Sequence, residues 1–246
     1  MKSYSKIALL AVSILLALGT ALASEYPFGS KVLPGEIDVG SPLSVFPTIP
    51  AVQFPIFIEY WDIGVSPGVY DDSDIVYLHF GLPATPIRAN DIRLTPFGDK
   101  PAGSKVTPAD NDIGQPLLAT APAAVIRWLN LYGGPTFDLK DPLFAQLPGL
   151  IPPFSKLNDV RLTDSEGMSA GTKLQDSDPD FGKFYTPPPI PILGGLAGTI
   201  FFFDANGNRQ YDYPDDIYFR VNFVPPGPLV VSINDVRLSG PSCLGC

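Results

Sequence analysis

The chain has 246 residues, 16 Lys+Arg against 25 Asp+Glu, a formal net charge of −9 and 45% apolar residues. An acidic chain is a poor match for nucleic acid or anionic lipid, whose phosphates are gripped by basic residues, and suits divalent cations better; the apolar fraction excludes a disordered composition. With 29 Pro and 23 Gly, helix breakers fall too often for long helices, so the expected fold is all-β with short strands and tight turns.

In chain order, Lys2 and Lys6 precede an apolar run from Ile7 to about Ala23, and Ala21-Leu22-Ala23 ends it. A charged start, an apolar stretch and a small-x-small site predict a secretory signal peptide over residues 1–23. The run is short for an uncleaved anchor, which needs roughly 20 apolar residues. Cleavage would remove two lysines and no acids, taking the charge from −9 to −11. The mature protein is expected to be secreted or at the cell surface, with no transmembrane segment.

Residues 29–43 then read GSKVLPGEIDVGSPL, and the pattern returns as GSKVTPADNDIGQPL at 103–117 and GTKLQDSDPDFG at 171–182. A second motif occurs as NDIRLT at 90–95, NDVRLT at 158–163 and NDVRLS at 234–239. Between them lie paired apolar runs: 57–61 with 75–80, 125–129 with 142–145, and 199–203 with 217–223. Two motifs recurring three times in the same order define an internal repeat, with units at 24–102, 103–170 and 171–246. In the last unit Ile217, Phe219, Val221 and Phe223 alternate with Tyr218, Arg220 and Asn222, the period of a strand. The expected architecture is three tandem units of short antiparallel strands, sandwich-like or as a stacked array. Asp and Arg two apart in NDxRL share one strand face, either as a charge ladder between units or as an ordinary polar outer face.

Residues 204–215, DANGNRQYDYPD, carry the one strong chemical pattern. Asp204, Asn206, Asn208, Gln210 (through its carbonyl), Asp212 and Asp215 fall at positions 1, 3, 5, 7, 9 and 12 of a twelve-residue loop, spacing that wraps oxygens around Ca²⁺. The segment resembles the DxNxN calcium loops of EF-hand and dockerin-type proteins. It departs from them in Arg209 at position 6, in Asp in place of Glu at position 12, and in flanks that read as strands. The other reading is a metal-free turn rich in Asn, Asp and Gly. The first unit keeps Asp62, Asp71 and Asp74, and the second Asn130, Asp138 and Asp141; turn acids Asp110, Asp112, Asp176, Asp178 and Asp180 are further candidates to add carboxylates across a unit boundary.

Enzyme signatures are thin. His79 is the sole histidine, no GxSxG nucleophile elbow or phosphate-binding glycine loop occurs, and the chain reads as a non-enzyme with no catalytic residue assigned. Trp61 and Trp128 sit ahead of the acidic turns, as core residues or as a carbohydrate platform. Cys243 and Cys246 end the chain as C-x-x-C without a βαβ setting; a disulfide within the tail or between chains is expected. Export, repeats, acidic turns and tail cysteines together resemble archaeal cell-envelope proteins, including the sheath proteins of filamentous methanogens. That resemblance implies a structural protein self-associating into a surface layer, sheath or fibre through strand edges. The alternative is a secreted calcium-dependent module for carbohydrate or protein.

Overall fold

The computed structural model describes residues 26–45, 48–49, 52–53, 56–64, 66–80, 82, 84–118, 124–131, 137, 140–147, 155–183, 185, 198–212, 215–221 and 230–239. The segment expected to be a signal peptide (residues 1–23), Asp138, Cys243 and Cys246 lie outside them. Among the described residues the protein is all-β, without a helix, and no helix is long and apolar enough to cross a membrane.

Each pair of apolar runs forms an antiparallel hairpin extended by the NDxRL strand. β4 (Ile56–Trp61), β5 (Ile75–Phe80) and β6 (Ile92–Arg93) make the first sheet; β7 (Val125–Trp128), β8 (Leu143–Gln146) and β9 (Val160–Arg161) the second. β10 (Gly198–Phe203), β11 (Asp216–Val221) and β12 (Val236–Arg237) make the third, with β1 (Ser44–Val45) on its outer edge. A separate two-stranded ribbon joins β2 (Thr48–Ile49) to β3 (Val52–Gln53). Asn90, Asn158 and Asn234 all have positive φ (75°, 67° and 72°), a backbone state in which Asn is enriched. This explains why the motif begins with that residue.

The three sheets surround one shared core. Leu78 and Ile92 from the first sheet, Ile126 and Val160 from the second, and Phe219 and Val236 from the third belong to a single apolar cluster. Side chains of opposite parity point outward, and each sheet carries a smaller cluster there: Tyr77 with Val106, Phe144 with Leu174, and Tyr218 with Val32. Both faces of the three repeat sheets are therefore covered. The face expected to be polar is buried too, with Arg93, Arg161 and Arg237 at 0–1% exposure.

The outer cover is the GSK segment. Residues 103–106 pair with the first unit's NDIRL through Gly103 N–H to Arg93 O (2.7 Å) and Val106 N–H to Asp91 O (2.8 Å). Residues 171–174 pair likewise with the second unit's NDVRL. Each segment thus completes the sheet that precedes it. The third sheet, last in the chain, is completed by residues 29–32 from the other end: Gly29 N–H donates to Arg237 O and Val32 N–H to Asp235 O, both at 2.8 Å. The repeat forms a closed ring. Where segments meet, Gly29 (φ 78°) lies so close to the second unit that a β-carbon would sit 2.6 Å from Leu162 O. Only glycine fits there.

Candidate functional site

Three sets of polar side chains recur around the ring. The first is the buried arginine. Arg93 donates from Nε and Nη2 to Asp112, at 2.7 Å each, and from Nη2 to Asp110 (2.9 Å). Arg161 makes the same fork with Asp180 (3.1 and 2.6 Å) and reaches Asp178 (2.7 Å). Arg237 reaches Asp38 (3.1 and 2.5 Å) and Glu36 (2.8 Å). Burial opposes the charge on each guanidinium, but the paired carboxylates outweigh it and hold all three above the ordinary arginine value. Asp110 moves the other way. Burial raises it, the Thr107 N–H and Arg93 lower it more, and it settles at about 2. The turn acids Asp110, Asp112, Asp178 and Asp180 are therefore committed to the arginine of the preceding NDxRL strand, across the 102/103 and 170/171 boundaries, and supply no calcium-type loop. The charge ladder between NDxRL strands does not form; the arginines pair with turns.

The second set is the lysine of GSK, which crosses to another unit. Lys173 Nζ donates to the carbonyls of Asp71 (2.7 Å), Asp72 (2.9 Å) and Asp74 (2.6 Å), over the Tyr70 ring at 4.7 Å. Lys105 Nζ donates to Asp215 O and Asp212 O, 5.1 Å from the Tyr211 ring centre. Lys31 Nζ donates to Asp141 O, 4.3 Å from the Phe137 ring centre. Each acidic hairpin loop thus holds an ammonium among its backbone oxygens, over an aromatic face. Burial pulls Lys105 and Lys173 down to about 8 against the neighbouring aspartates, which raise them. Tyr70 and Tyr211 add hydroxyl bonds to Asn158 O (2.9 Å) and Asn90 O (3.0 Å).

The third set surrounds the aspartate of NDxRL, and here the units differ. Asp235 takes a two-pronged bond from Arg220, at 2.7 Å on each oxygen. Asp159 accepts from Tyr185 Oη (2.8 Å) and the Lys156 N–H (2.9 Å), with the Gln146 amide at 3.4 Å. Asp91 accepts from the Arg88 N–H and from His79 Nδ1, both at 2.8 Å. His79 Nε2 lies 2.8 Å from Thr85 Oγ1, whose hydroxyl donates to Leu82 O at 2.8 Å. The order Thr-His-Asp resembles a hydrolase triad, but the hydroxyl proton is already committed, so the imidazole donates to Thr85 instead of accepting from it. Burial opposes protonation of His79; the hydrogen bond and charge of Asp91, and then Glu59, outweigh it and raise the imidazole.

The calcium-type loop joins β10 to β11. Asp204 accepts the N–H groups of Asn208 (3.1 Å) and Arg209 (2.7 Å), and Arg209 takes the positive φ (61°) that position 6 of such loops requires. The side-chain amides of Asn206 (3.1 and 3.0 Å) and Asn208 (2.6 Å) lean on the Asp212 carboxylate. Gln210 is exposed and donates its N–H to Asn208 Oδ1 (2.7 Å). Asp215 is fully buried, its two oxygens taking the N–H groups of Ala205 and Asp212, both at 2.9 Å. Asp74 holds the N–H groups of Ile63 (3.1 Å) and Asp71 (2.8 Å), and Asp141 that of Leu131 (3.2 Å). This aspartate fixes the loop backbone in every unit. Of the six residues singled out by spacing, four gather at the exposed tip. Among the described residues, no three carboxylate, imidazole or thiol groups converge on a metal-sized point, so any ion would draw on Asn206, Asn208 and carbonyl oxygen as well as Asp204 and Asp212.

Trp128 lies in the shared core, whereas Trp61 packs beside Phe97 on the outer face of the first sheet. The two do not form one platform. No protein-family model, curated protein or solved structure matches the chain.

Proposed function

We propose that the protein is a secreted structural subunit of a cell-surface layer, sheath or fibre, and that its exposed loop 204–215 takes calcium. The observation that supports this reading is where the repeated chemistry is spent. Arginines, turn acids and lysines are consumed in tying units together, and the loop-fixing aspartates in holding backbone. Such a body is built for mechanical persistence. The tip of loop 204–215 is different. It keeps Asp204, Asn206, Asn208 and Asp212 at the surface, and rotating the two amides would turn their oxygens inward, giving the hard-oxygen set that Ca²⁺ prefers. An ion held only by the folded form stabilises it by mass action.

The test is thermal unfolding in excess EDTA and in millimolar calcium, beside an Asp204→Ala/Asp212→Ala variant. Asp215 is left intact because its loss would loosen the loop with or without metal. A calcium-dependent rise in melting temperature that disappears in the variant supports the ion; identical curves remove it. Polymers on electron-microscope grids support the structural role.

One observation favours a second reading, a calcium-dependent carbohydrate module. A groove of about 580 Å³ runs between loop 204–215 and the first sheet with its covering segment, lined by Asn90, Thr107, Asn206 and Asp212 among others. Calcium-dependent retention of the monomer on immobilised sugars would support it.

A further inference from the structure

The ring has one joint without a covalent bridge. In the first two units the chain turns from NDxRL directly into the segment that covers it, through short hairpins at Phe97–Lys100 and Ser165–Met168. The third unit receives its cover from residues 27–45 instead. This segment is a compact plug. Its backbone bonds join Arg237 N–H to Ser30 O (3.1 Å), Asn234 N–H to Val32 O (3.0 Å), Gly40 N–H to Val231 O and Val231 N–H to Ser41 O (both 2.8 Å). Ser44 and Val45 pair with Phe202 and Phe201. Val32 and Leu43 fill the cluster with Phe201, Tyr218 and Val231, and Glu36 and Asp38 neutralise Arg237. After Val45, ten residues (46–55, with prolines at 47, 50 and 55) carry the β2–β3 ribbon and precede β4; with that ribbon opened they make a tether that reaches up to about 33 Å.

From this geometry we infer that the plug exchanges between copies: residues 27–45 of one chain seat in the third unit of the next and link subunits head to tail. The inference rests on the assembly reading and names its joint and its partner, a second copy of this chain. An exchanged joint makes the same bonds as the closed one. The choice between them is therefore set by the tether's effective concentration against the local concentration of subunits, and a surface layer raises the latter. Synthesis order acts in the same direction, since the plug is made before its socket. The joint is heterologous, so it extends into a chain when rotation does not close it.

The test uses the full mature chain with Cys243→Ser and Cys246→Ser, carrying Pro42→Cys and Val230→Cys at a cross-strand bridge of the joint. Light and ¹⁵N-labelled chains are mixed at high concentration under reducing conditions and then oxidised. Exchange predicts heavy–light species in statistical proportion, with residue 42 of one chain disulfide-bonded to residue 230 of the other. Only intrachain disulfides would overturn it. Should the new cysteines fail to pair at all, crosslinking mass spectrometry of the mixed chains decides: heavy–light crosslinks from residues 27–45 to residues 230–239 support exchange, and crosslinks between these segments confined to one label overturn it. Microscopy separates this inference from the reading beneath it. Chains oxidised in the closed form before assembly that still polymerise overturn exchange and keep the structural role, whereas mixed-label oligomers without polymers keep exchange and overturn that role.

Discussion

The arginine site and the aspartate site of NDxRL lie two residues apart and differ in how freely their surroundings vary. Around Arg93, Arg161 and Arg237 the arrangement recurs in all three units: a buried guanidinium on the second acid of a turn, forked onto both oxygens of Asp112 and Asp180 and gathered on one oxygen of Asp38. Around Asp91, Asp159 and Asp235 it changes from histidine to glutamine and tyrosine to arginine. A fully buried cation must be neutralised where it stands, and the turn acids are its means. Oδ2 of the aspartate already accepts a backbone N–H from its own turn in each unit, so the group is anchored before the variable partner reaches that same oxygen.

The comparison is broken most severely at an arginine. Arg161→Ala leaves Asp178 and Asp180 beside a cavity, and urea unfolding should show a loss of about 3–5 kcal/mol, the range for one member of a buried pair. Arg237→Ala should do the same and also free the N-terminal segment, seen as protease cleavage within residues 27–45. Next comes the lysine latch. Lys173→Met keeps the stem but takes the ammonium from three carbonyls, with an expected loss of about 1.5–3 kcal/mol, typical of a hydrogen bond to a charged group.

The aspartate sites give a smaller, pH-dependent effect. Burial raises Asp159 to about 7, against the Lys156 N–H and the Tyr185 hydroxyl that lower it, whereas an aspartate in an unfolded chain titrates near 3.9. Between those values the folded protein holds a proton that the unfolded one has released. Stability therefore falls as pH rises from about 4 to 7. Asp159→Asn should flatten that slope in unfolding measured across the range. Gln146→Arg, which copies Arg220 into the second unit, should reverse its sign by favouring the carboxylate. The smallest effect belongs to the exposed Lys183–Glu166 pair, with both side chains more than one third accessible. Lys183→Ala should change stability by less than about 1 kcal/mol.

Much of this was legible in the residues. Apolar alternation over 217–223 marked β11, and the two motifs recurring in one order marked the threefold repeat. The arginine partners had a signal that reading for ladders passes over: Asp112 and Asp180 each lie 19 positions after their arginine. In the third unit that spacing fails, because Asp38 lies 199 positions before Arg237, and the broken spacing marks the closure. The loop at 204–215 was legible as a set of oxygens, but not in its division of labour. That Asp215 serves the backbone while Asp204 and Asp212 face solvent depends on which groups the fold buries.

Sequence alone determined the all-β class, the paired hairpin strands and the threefold repetition, because period-two alternation and turn residues are local constraints that act within a few residues. Tertiary structure decided the phase of the repeat, the closing of the ring by residues 27–45 and the passage of each lysine into another unit's loop. Those choices join residues roughly 100 to 200 positions apart, where no local pattern reaches. The physical reason is burial: each short hairpin carries apolar side chains on both faces, with buried polar groups among them on the outer one, so a sheet is stable only when the shared core covers one face and a GSK segment covers the other.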